Sequence, residues 1–242
     1  SIASTKMISE FKEKHLFNGK EKEVTEHLCT IIKSDITNHE AIYKDGVITY
    51  GRYKSNIDSR RLDRMQEQTN LQETTRACMR YTALVGGSQQ WMVPLSIYTK
   101  LHDKYGVEIE GFASPMNSQM ADLNGNFCSI FPEDSVFGSI GSFWDLDLTD
   151  KRLVINSPFV ESILDRMVDR VESSTPALAL VVVPSWKDAK FYKKLKDIST
   201  SSIELMPGEY GYEDVRGNRI KARFGSTWFV IGDAKLTKDM LC

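Results

Sequence analysis

Residues Leu153 to Phe159 read Leu-Val-Ile-Asn-Ser-Pro-Phe, and this stretch decides the fold. An apolar run is followed by turn-forming and helix-starting residues, which predicts a buried strand and then a helix from Pro158 to about Ser173. Open α/β sheets bind ligands at the carboxyl ends of their strands, so we expect Asn156 to lie beside a ligand. A plain strand end with Ser157 as helix cap would explain the same residues.

Other segments of the chain show the same alternation of strands and helices. Ala177 to Pro184 is continuously apolar, as central strands of parallel sheets are. Val107 to Pro115 predicts a further core strand, which also ends in small residues and proline. The runs from Ile203 to Met206 and from Arg219 to Ile231 predict closing strands that are antiparallel. Together these segments predict an α/β fold.

The first eighty residues have a different pattern. Asp45-Gly46 favours a type I′ turn in a hairpin from Ala41 to Tyr50. The polar segment from Ser55 to Tyr81 predicts one or two helices. We therefore predict a small, mainly helical N-terminal lobe over residues 1–80, with possible RNA contact, and an α/β domain over residues 81–242.

Composition excludes several classes of protein. With 26% charged and 41% hydrophobic residues, the chain resembles an ordinary globular protein, and no apolar run is long enough for a membrane span. The four cysteines and four histidines are scattered, so we expect no metal site and reduced thiols, in the nucleus or cytoplasm. The net charge of −2 limits any nucleic-acid contact to local basic runs. Two such runs are Arg52 to Arg64 and Lys187 to Lys196, although solvated helix faces have the same pattern.

The chemistry suggested by Asn156 to Phe159 is the methylation of an amine. The tetrapeptide resembles the Asn-(Pro/Ser)-Pro-aromatic signature of enzymes that methylate exocyclic amines, most often N6 of adenine. The N6 lone pair is delocalised into the ring, so it becomes nucleophilic only when the amine is held in a tetrahedral geometry. The Asn156 side-chain oxygen and the Ser157 carbonyl are predicted to accept the two N6 hydrogens. Phe159 is predicted to stack on the base, and Pro158 restricts the backbone of Ser157.

Several further motifs accompany this signature in order. They are Gln90-Trp91, Glu110 to Ser118, Phe131 to Asp134, Phe137 to Ser139 and Val183 to Trp186. Together, over roughly Tyr81 to Asp233, they resemble the phosphorylated-CTD-interacting-factor family, whose members are cap-specific adenosine N6-methyltransferases. Linked motifs are stronger evidence than a single tetrapeptide.

The resemblance implies a Rossmann-like core that uses S-adenosyl-L-methionine. The implied substrate is the adenosine beside the 7-methylguanosine cap of mRNA, and the implied catalytic motif is Asn156, Ser157, Pro158 and Phe159. The implied cofactor-binding residues are Phe112, Ala113, Ser114, Pro115, Asn117, Asp134, Phe137, Gly138 and Ser139, with Asp134 assigned to the ribose hydroxyls. The residues predicted to contact the substrate are Gln90, Trp186, Lys187, Arg60 and Arg61.

One departure from the family pattern leaves alternatives open. This chain has Asn-Ser-Pro-Phe where the family has Asn-Pro-Pro-Phe. The motif alone does not distinguish RNA from DNA, so a DNA adenine N6-methyltransferase is one alternative. A catalytically inactive methyltransferase fold that serves as a binding subunit is another.

Overall fold

The computed structural model describes residues 40–51, 53–85 and 91–242. It begins with three short antiparallel strands, β1 (Ile42–Lys44), β2 (Val47–Tyr50) and β3 (Tyr53–Asn56). The β1–β2 turn has positive φ at Asp45 (51°) and Gly46 (78°), which confirms the predicted hairpin turn. Two helices follow, α1 (Ser59–Gln68) and α2 (Leu71–Val85). The described part of the predicted helical lobe therefore contains a sheet as well as helices.

The rest of the chain alternates between strands and helices. The elements are α3 (Leu95–Tyr105), β4 (Ile109–Glu110), β5 (Asn126–Phe127), β6 (Arg152–Ile155), α4 (Glu161–Ser173), β7 (Leu178–Pro184), α5 (Lys190–Ile198), β8 (Ser201–Leu205), β9 (Gly211–Glu213), β10 (Arg219–Lys221), β11 (Ser226–Gly232) and α6 (Lys238–Leu241). None of the helices in the described ranges combines the length and the hydropathy that a bilayer span requires.

Six strands form one mixed sheet in the order β5-β4-β6-β7-β11-β8. The first four strands are parallel, and β11 runs antiparallel to both of its neighbours, β7 and β8. The α/β class and the antiparallel closing strands are thus confirmed. After β4, the next strand in the chain, β5, lies on one side of β4, and the following strand, β6, lies on its other side. The order of the strands therefore reverses between β4 and β6.

Helices cover both faces of this sheet because successive side chains of a strand point to opposite sides. In β7, Leu178, Leu180 and Val182 face the same core as Tyr98 and Leu101 of α3. The alternate residues of β7 pack against helices α4 and α5. These alternate residues are Ala179, Val181 and Val183. Because β7 is buried on both faces, its sequence is continuously apolar.

The N-terminal elements share their core with a later part of the chain. Leu62 and Met65 of α1 belong to the same buried cluster as Met116, Phe127 and Phe137. The segment that follows β4 thus packs against the N-terminal elements. The division of the chain at residue 80 stays a prediction.

Several predicted boundaries were wrong. Helix α4 begins at Glu161 rather than Pro158, because Val160 donates its N–H to the Pro158 carbonyl at 2.8 Å and a turn precedes the helix. Its N-cap is Val160, so Ser157 does not cap it. The predicted strand Val107 to Pro115 is reduced to Ile109–Glu110, where it pairs on both sides. The run from Arg219 to Ile231 is divided between β10, in a separate hairpin, and β11.

Candidate active site at the switch point of the sheet

The carboxyl ends of β4 and β6 lie side by side where the strand order reverses. Gly111, just after β4, donates its N–H to Val154 of β6 at 2.9 Å. A side chain at Gly111 would meet Ile155 and Phe143 at 3.2 Å, so glycine allows this close approach. Such a switch point is the common ligand site of open α/β sheets. The segments after Glu110 and Ile155 therefore lie side by side at this edge of the sheet.

The Asn156–Phe159 motif begins directly after β6. The Asn156 side chain is half-buried and has no hydrogen-bond partner among the described residues. Ser157 is buried, and none of the described groups bonds to its Oγ. Pro158 is exposed, while Phe159 is half-buried and packs edge-on against Phe224, with ring centroids 5.6 Å apart. The motif thus presents polar groups that the fold itself does not use.

The segment after β4 is tightly folded. Asn117 Oδ1 accepts the Ser114 N–H at 2.7 Å, and the Ser114 carbonyl accepts the Ser118 N–H at 3.0 Å. The Phe112 ring lies 4.5 Å from Phe143 and 5.5 Å from Trp144, between ring centroids. The structure thus brings Phe112 to Pro115 and Asn117 together at the switch point.

The side chain of Arg64, on α1, bonds to the segment that follows β4. Its guanidinium donates to the carbonyls of Pro115 and Ser118, the latter at 3.0 Å, and pairs with Asp122. In the sequence, the basic run containing Arg64 indicated either a local nucleic-acid contact or a solvated helix face. Its structural role was not predicted, because carbonyl acceptors in a loop leave no sequence pattern.

Glu110 is a further residue that sequence reasoning missed. It is the last residue of β4 and is buried, and its carboxylate accepts hydrogen bonds from four groups. These are Tyr98 Oη (2.9 Å), Ser118 Oγ (3.1 Å), Gln119 N (2.9 Å) and Met120 N (3.3 Å). Burial raises the pKa of Glu110 from 4.5 to about 7, and the four hydrogen bonds oppose this shift. The alternation of the strand placed Glu110 on the same face as Glu108, which is exposed, so the sequence carried no sign of its burial.

This raised pKa predicts a dependence of stability on pH. The folded protein holds the Glu110 proton more tightly than the unfolded chain does, so the stabilisation is complete below pH 4.5 and is lost as the pH rises through about 7. We expect the free energy of unfolding of the wild type to fall across this window relative to Glu110→Gln, by about 3 kcal/mol at most. Urea unfolding at a series of pH values measures both proteins. Parallel profiles would contradict the assignment.

The residues from Asp134 to Ser139 lie in two different environments, the buried core and the edge of the sheet. Asp134 is fully buried, and its two oxygens accept from Arg80 Nη2 at 2.9 Å and Tyr81 Oη at 2.5 Å. Burial raises the pKa of Asp134, while Arg80 opposes the shift. A bond to a ribose would require these contacts to break.

Phe137 is likewise buried, in the cluster shared with α1. Gly138 ends the preceding 3-10 turn with a φ of 90°. Ser139 instead reaches the sheet edge, where it bridges to Phe127 and its Oγ bonds to Ser129 Oγ at 2.6 Å. Of the predicted cofactor residues in this loop, Ser139 pairs directly with the edge strand β5.

Comparison of the sequence with known proteins identifies the family of this chain. The sequence model of the family described as "Phosphorylated CTD interacting factor 1 WW domain" matches residues 48–211, which is more than half of the chain. The chain belongs to this family. The match begins well before Tyr81, where the resemblance was expected to start, so it includes α1, α2 and most of the N-terminal sheet.

Two curated proteins are similar to this member of the phosphorylated CTD interacting factor 1 family. Both are named mRNA (2'-O-methyladenosine-N(6)-)-methyltransferase. The protein from Mus musculus is 33% identical over 109 residues, which cover 43% of this chain and 15% of that protein. The protein from Homo sapiens shows the same identity and the same coverage. The aligned part is thus a small fraction of these relatives.

The residues predicted to contact substrate in this family member have different environments. Arg61 is fully buried, with Nη2 2.9 Å from Met92 Sδ and 3.3 Å from Gln119 Oε1, and burial lowers the pKa of its guanidinium. The prediction that Arg61 contacts substrate was therefore wrong, because its guanidinium is enclosed by side chains of the fold. Arg60 is partly exposed and pairs with Asp122 at 3.2 Å. Gln90 and Arg52 lie outside the described residues.

The end of β7 provides the remaining predicted contacts. β7 continues from Val181, opposite Ile155, to Pro184, so Trp186 lies beyond the end of β6. Trp186 is 44% exposed and meets Phe191 edge-on at 5.9 Å. Lys187 is exposed and pairs with Glu204 at 3.0 Å.

Among the described residues, no group of three or more His, Cys, Asp or Glu side chains is arranged to hold a metal ion.

Proposed function

We propose that this chain is an S-adenosyl-L-methionine-dependent methyltransferase that acts on N6 of the cap-adjacent adenosine of mRNA. The observation that carries the proposal is the strand end at Asn156 and Ser157, which lies at the switch point of the sheet. The amide of Asn156 and the carbonyl of Ser157 have no partners in the described part of the chain. Relatives with this name support the choice of reaction.

The proposed chemistry follows from these two acceptors. Asn156 Oδ1 takes one N6 hydrogen and the Ser157 carbonyl takes the other, which directs the lone pair out of the ring plane. The same oxygens stabilise the positive charge that develops on the nitrogen during transfer. Phe159 stacks on the adenine, which must be unpaired to enter the site. The first transcribed nucleotide meets this requirement when the 5′ end is single-stranded.

The cofactor is assigned to the edge of the sheet beside β4. A Rossmann-like core is the proposed fold, supported by the parallel strands and their reversal at β4 and β6. The residues proposed to hold the cofactor are Phe112, Ala113, Ser114, Pro115, Asn117, Gly138 and Ser139. Asp134 does not fit this role because both of its carboxylate oxygens already accept hydrogen bonds from Arg80 and Tyr81, and Phe137 does not because it packs in the cluster shared with α1. When bound, S-adenosyl-L-methionine supplies the methyl group.

The experiment that tests the proposal compares three substrates. The protein is incubated with cofactor that carries a labelled methyl group, together with capped RNA, uncapped RNA or DNA oligonucleotides of the same sequence. We expect label on the first adenosine of the capped RNA. Equal labelling of uncapped RNA would contradict cap specificity, and preferential labelling of DNA would favour the DNA methyltransferase. Calorimetry without measurable cofactor binding would contradict an enzymatic role.

Trp186 is proposed as a stacking surface for a base of the capped substrate. It is exposed at the carboxyl end of β7, and base stacking on an aromatic ring contributes about 1–3 kcal/mol. We expect Trp186→Ala to weaken the binding of capped RNA roughly tenfold. Fluorescence anisotropy measures this affinity, and calorimetry should show unchanged cofactor binding. An unchanged affinity for RNA would leave Trp186 with only its packing against Phe191.

A further inference from the structure

The Ser157 hydroxyl is a buried polar group without a partner. Ser157 is 3% exposed, and its Oγ bonds to nothing in residues 40–51, 53–85 and 91–242. Buried hydroxyls are nearly always hydrogen-bonded, and leaving one unsatisfied costs about 1–3 kcal/mol. A hydroxyl that the fold leaves unsatisfied at a ligand site indicates that a ligand supplies the partner.

The position of Ser157 suggests which ligand atom this is. Ser157 follows Asn156 at the strand end, where the proposed function assigns the Asn156 oxygen and the Ser157 carbonyl to the two N6 hydrogens. A serine hydroxyl can donate as well as accept, unlike these two oxygens. On an adenine whose amine is held at this point, the nearest acceptors are the ring nitrogens on either side of the amine, N1 and N7.

We infer that the Ser157 hydroxyl donates a hydrogen bond to a ring nitrogen flanking the N6 amine, and so selects adenine over bases without an acceptor there. This inference rests on the proposed function. It assigns a role to the residue in which this chain departs from the Asn-Pro-Pro-Phe pattern, because a proline has no hydroxyl to donate. The Ser157 side chain would then orient the base while its own carbonyl orients the amine.

The test pairs Ser157→Ala with substrates that lack one ring nitrogen. Capped oligonucleotides begin with adenosine, 1-deazaadenosine or 7-deazaadenosine, and kcat/KM is measured for the wild type and for Ser157→Ala. On adenosine we expect the variant to lose roughly tenfold in kcat/KM. On one of the two analogues the wild type and the variant should be equally efficient, because the acceptor is already missing. Each analogue also changes the intrinsic reactivity of the amine. Because both proteins are compared on the same analogue, this change cancels.

A stability measurement separates this role from a structural one. Removing an unsatisfied buried hydroxyl should leave the thermal midpoint of Ser157→Ala equal to or above that of the wild type. Thr74→Val is the matched control, because Thr74 of α2 is also buried and its Oγ1 has no partner among the described groups. We expect Thr74→Val to preserve stability and methylation, whereas Ser157→Ala preserves stability alone.

The possible failures can be told apart. If the wild type labels no adenosine, the proposed function fails and this inference fails with it. If the wild type is active and Ser157→Ala matches it on adenosine, only the inference is overturned. A loss by Ser157→Ala that persists fully on both deaza analogues also overturns it, because the hydroxyl then does not act through a ring nitrogen.

Discussion

Asn156→Ala is expected to lower methylation of capped RNA by roughly 100-fold or more, while the affinity for S-adenosyl-L-methionine stays nearly unchanged. The Asn156 oxygen is proposed to hold one N6 hydrogen and to stabilise charge that develops only during transfer. Its loss therefore lowers kcat far more than it weakens binding. Single-turnover methylation and cofactor calorimetry measure the two effects separately.

This variant should fold normally. Within the described ranges the Asn156 side chain bonds to no other group, so alanine removes no internal contact. The thermal midpoint is therefore expected to stay close to that of the wild type, and it serves as the control for misfolding. Retained methylation by Asn156→Ala would refute the role proposed for its oxygen. A parallel loss of cofactor affinity would place Asn156 in the cofactor pocket instead.

Asp134→Ala is expected to destabilise the folded protein by about 3–5 kcal/mol. Asp134 is fully buried and bonds to Arg80 and Tyr81, so alanine leaves a guanidinium and a phenol hydroxyl without this acceptor. The Arg80 side chain is itself only 4% exposed, so water cannot readily replace the carboxylate. The free energy of unfolding in urea measures the effect.

Asp169→Ala is the matched control for this buried pair. Asp169 pairs with Lys194 at 2.7 Å, but its side chain is 52% exposed, so its loss should hardly change stability. If Asp134→Ala were as mild as this control, the buried pair would not be structural. A variant that folded with normal stability but lost cofactor affinity would instead support the original assignment of Asp134 to the ribose hydroxyls.

Much of the fold could be predicted from local patterns in the sequence. The strand that ends at Ile155 and most of β7 were predicted correctly because apolar runs of this length end sharply at turn residues. The hairpin turn at Asp45-Gly46 was predicted because few dipeptides accept positive φ at both positions. The start of α4 was wrong because the Pro158 carbonyl bonds to Val160, and the sequence shows no sign of this turn.

The candidate site was predictable only in part. The motif at Asn156 could be found because it follows an apolar run and resembles a known signature of amine-methylating enzymes. Arg61 was predicted to contact the substrate, and Arg64 belongs to the same basic run, because such a run does not reveal whether its charges face solvent. In the structure Arg61 is buried and Arg64 bonds to the segment after β4. Nothing in the sequence separated Glu110 from Glu108, which stands two residues earlier in the same predicted strand and is exposed.

The sequence by itself determined the Asp45-Gly46 turn, the strand that ends at Ile155, most of β7 and the motif that follows β6. These depend on the periodicity and conformational preferences of neighbouring residues, which are present in the sequence. Only the tertiary structure decided that β4 lies beside β6, that Asp134 pairs with Arg80, and that the Ser157 hydroxyl has no internal partner. Such contacts join residues that are distant in the chain. They depend on the order of the strands and on the course of the loops, and both result from the packing of many side chains at once.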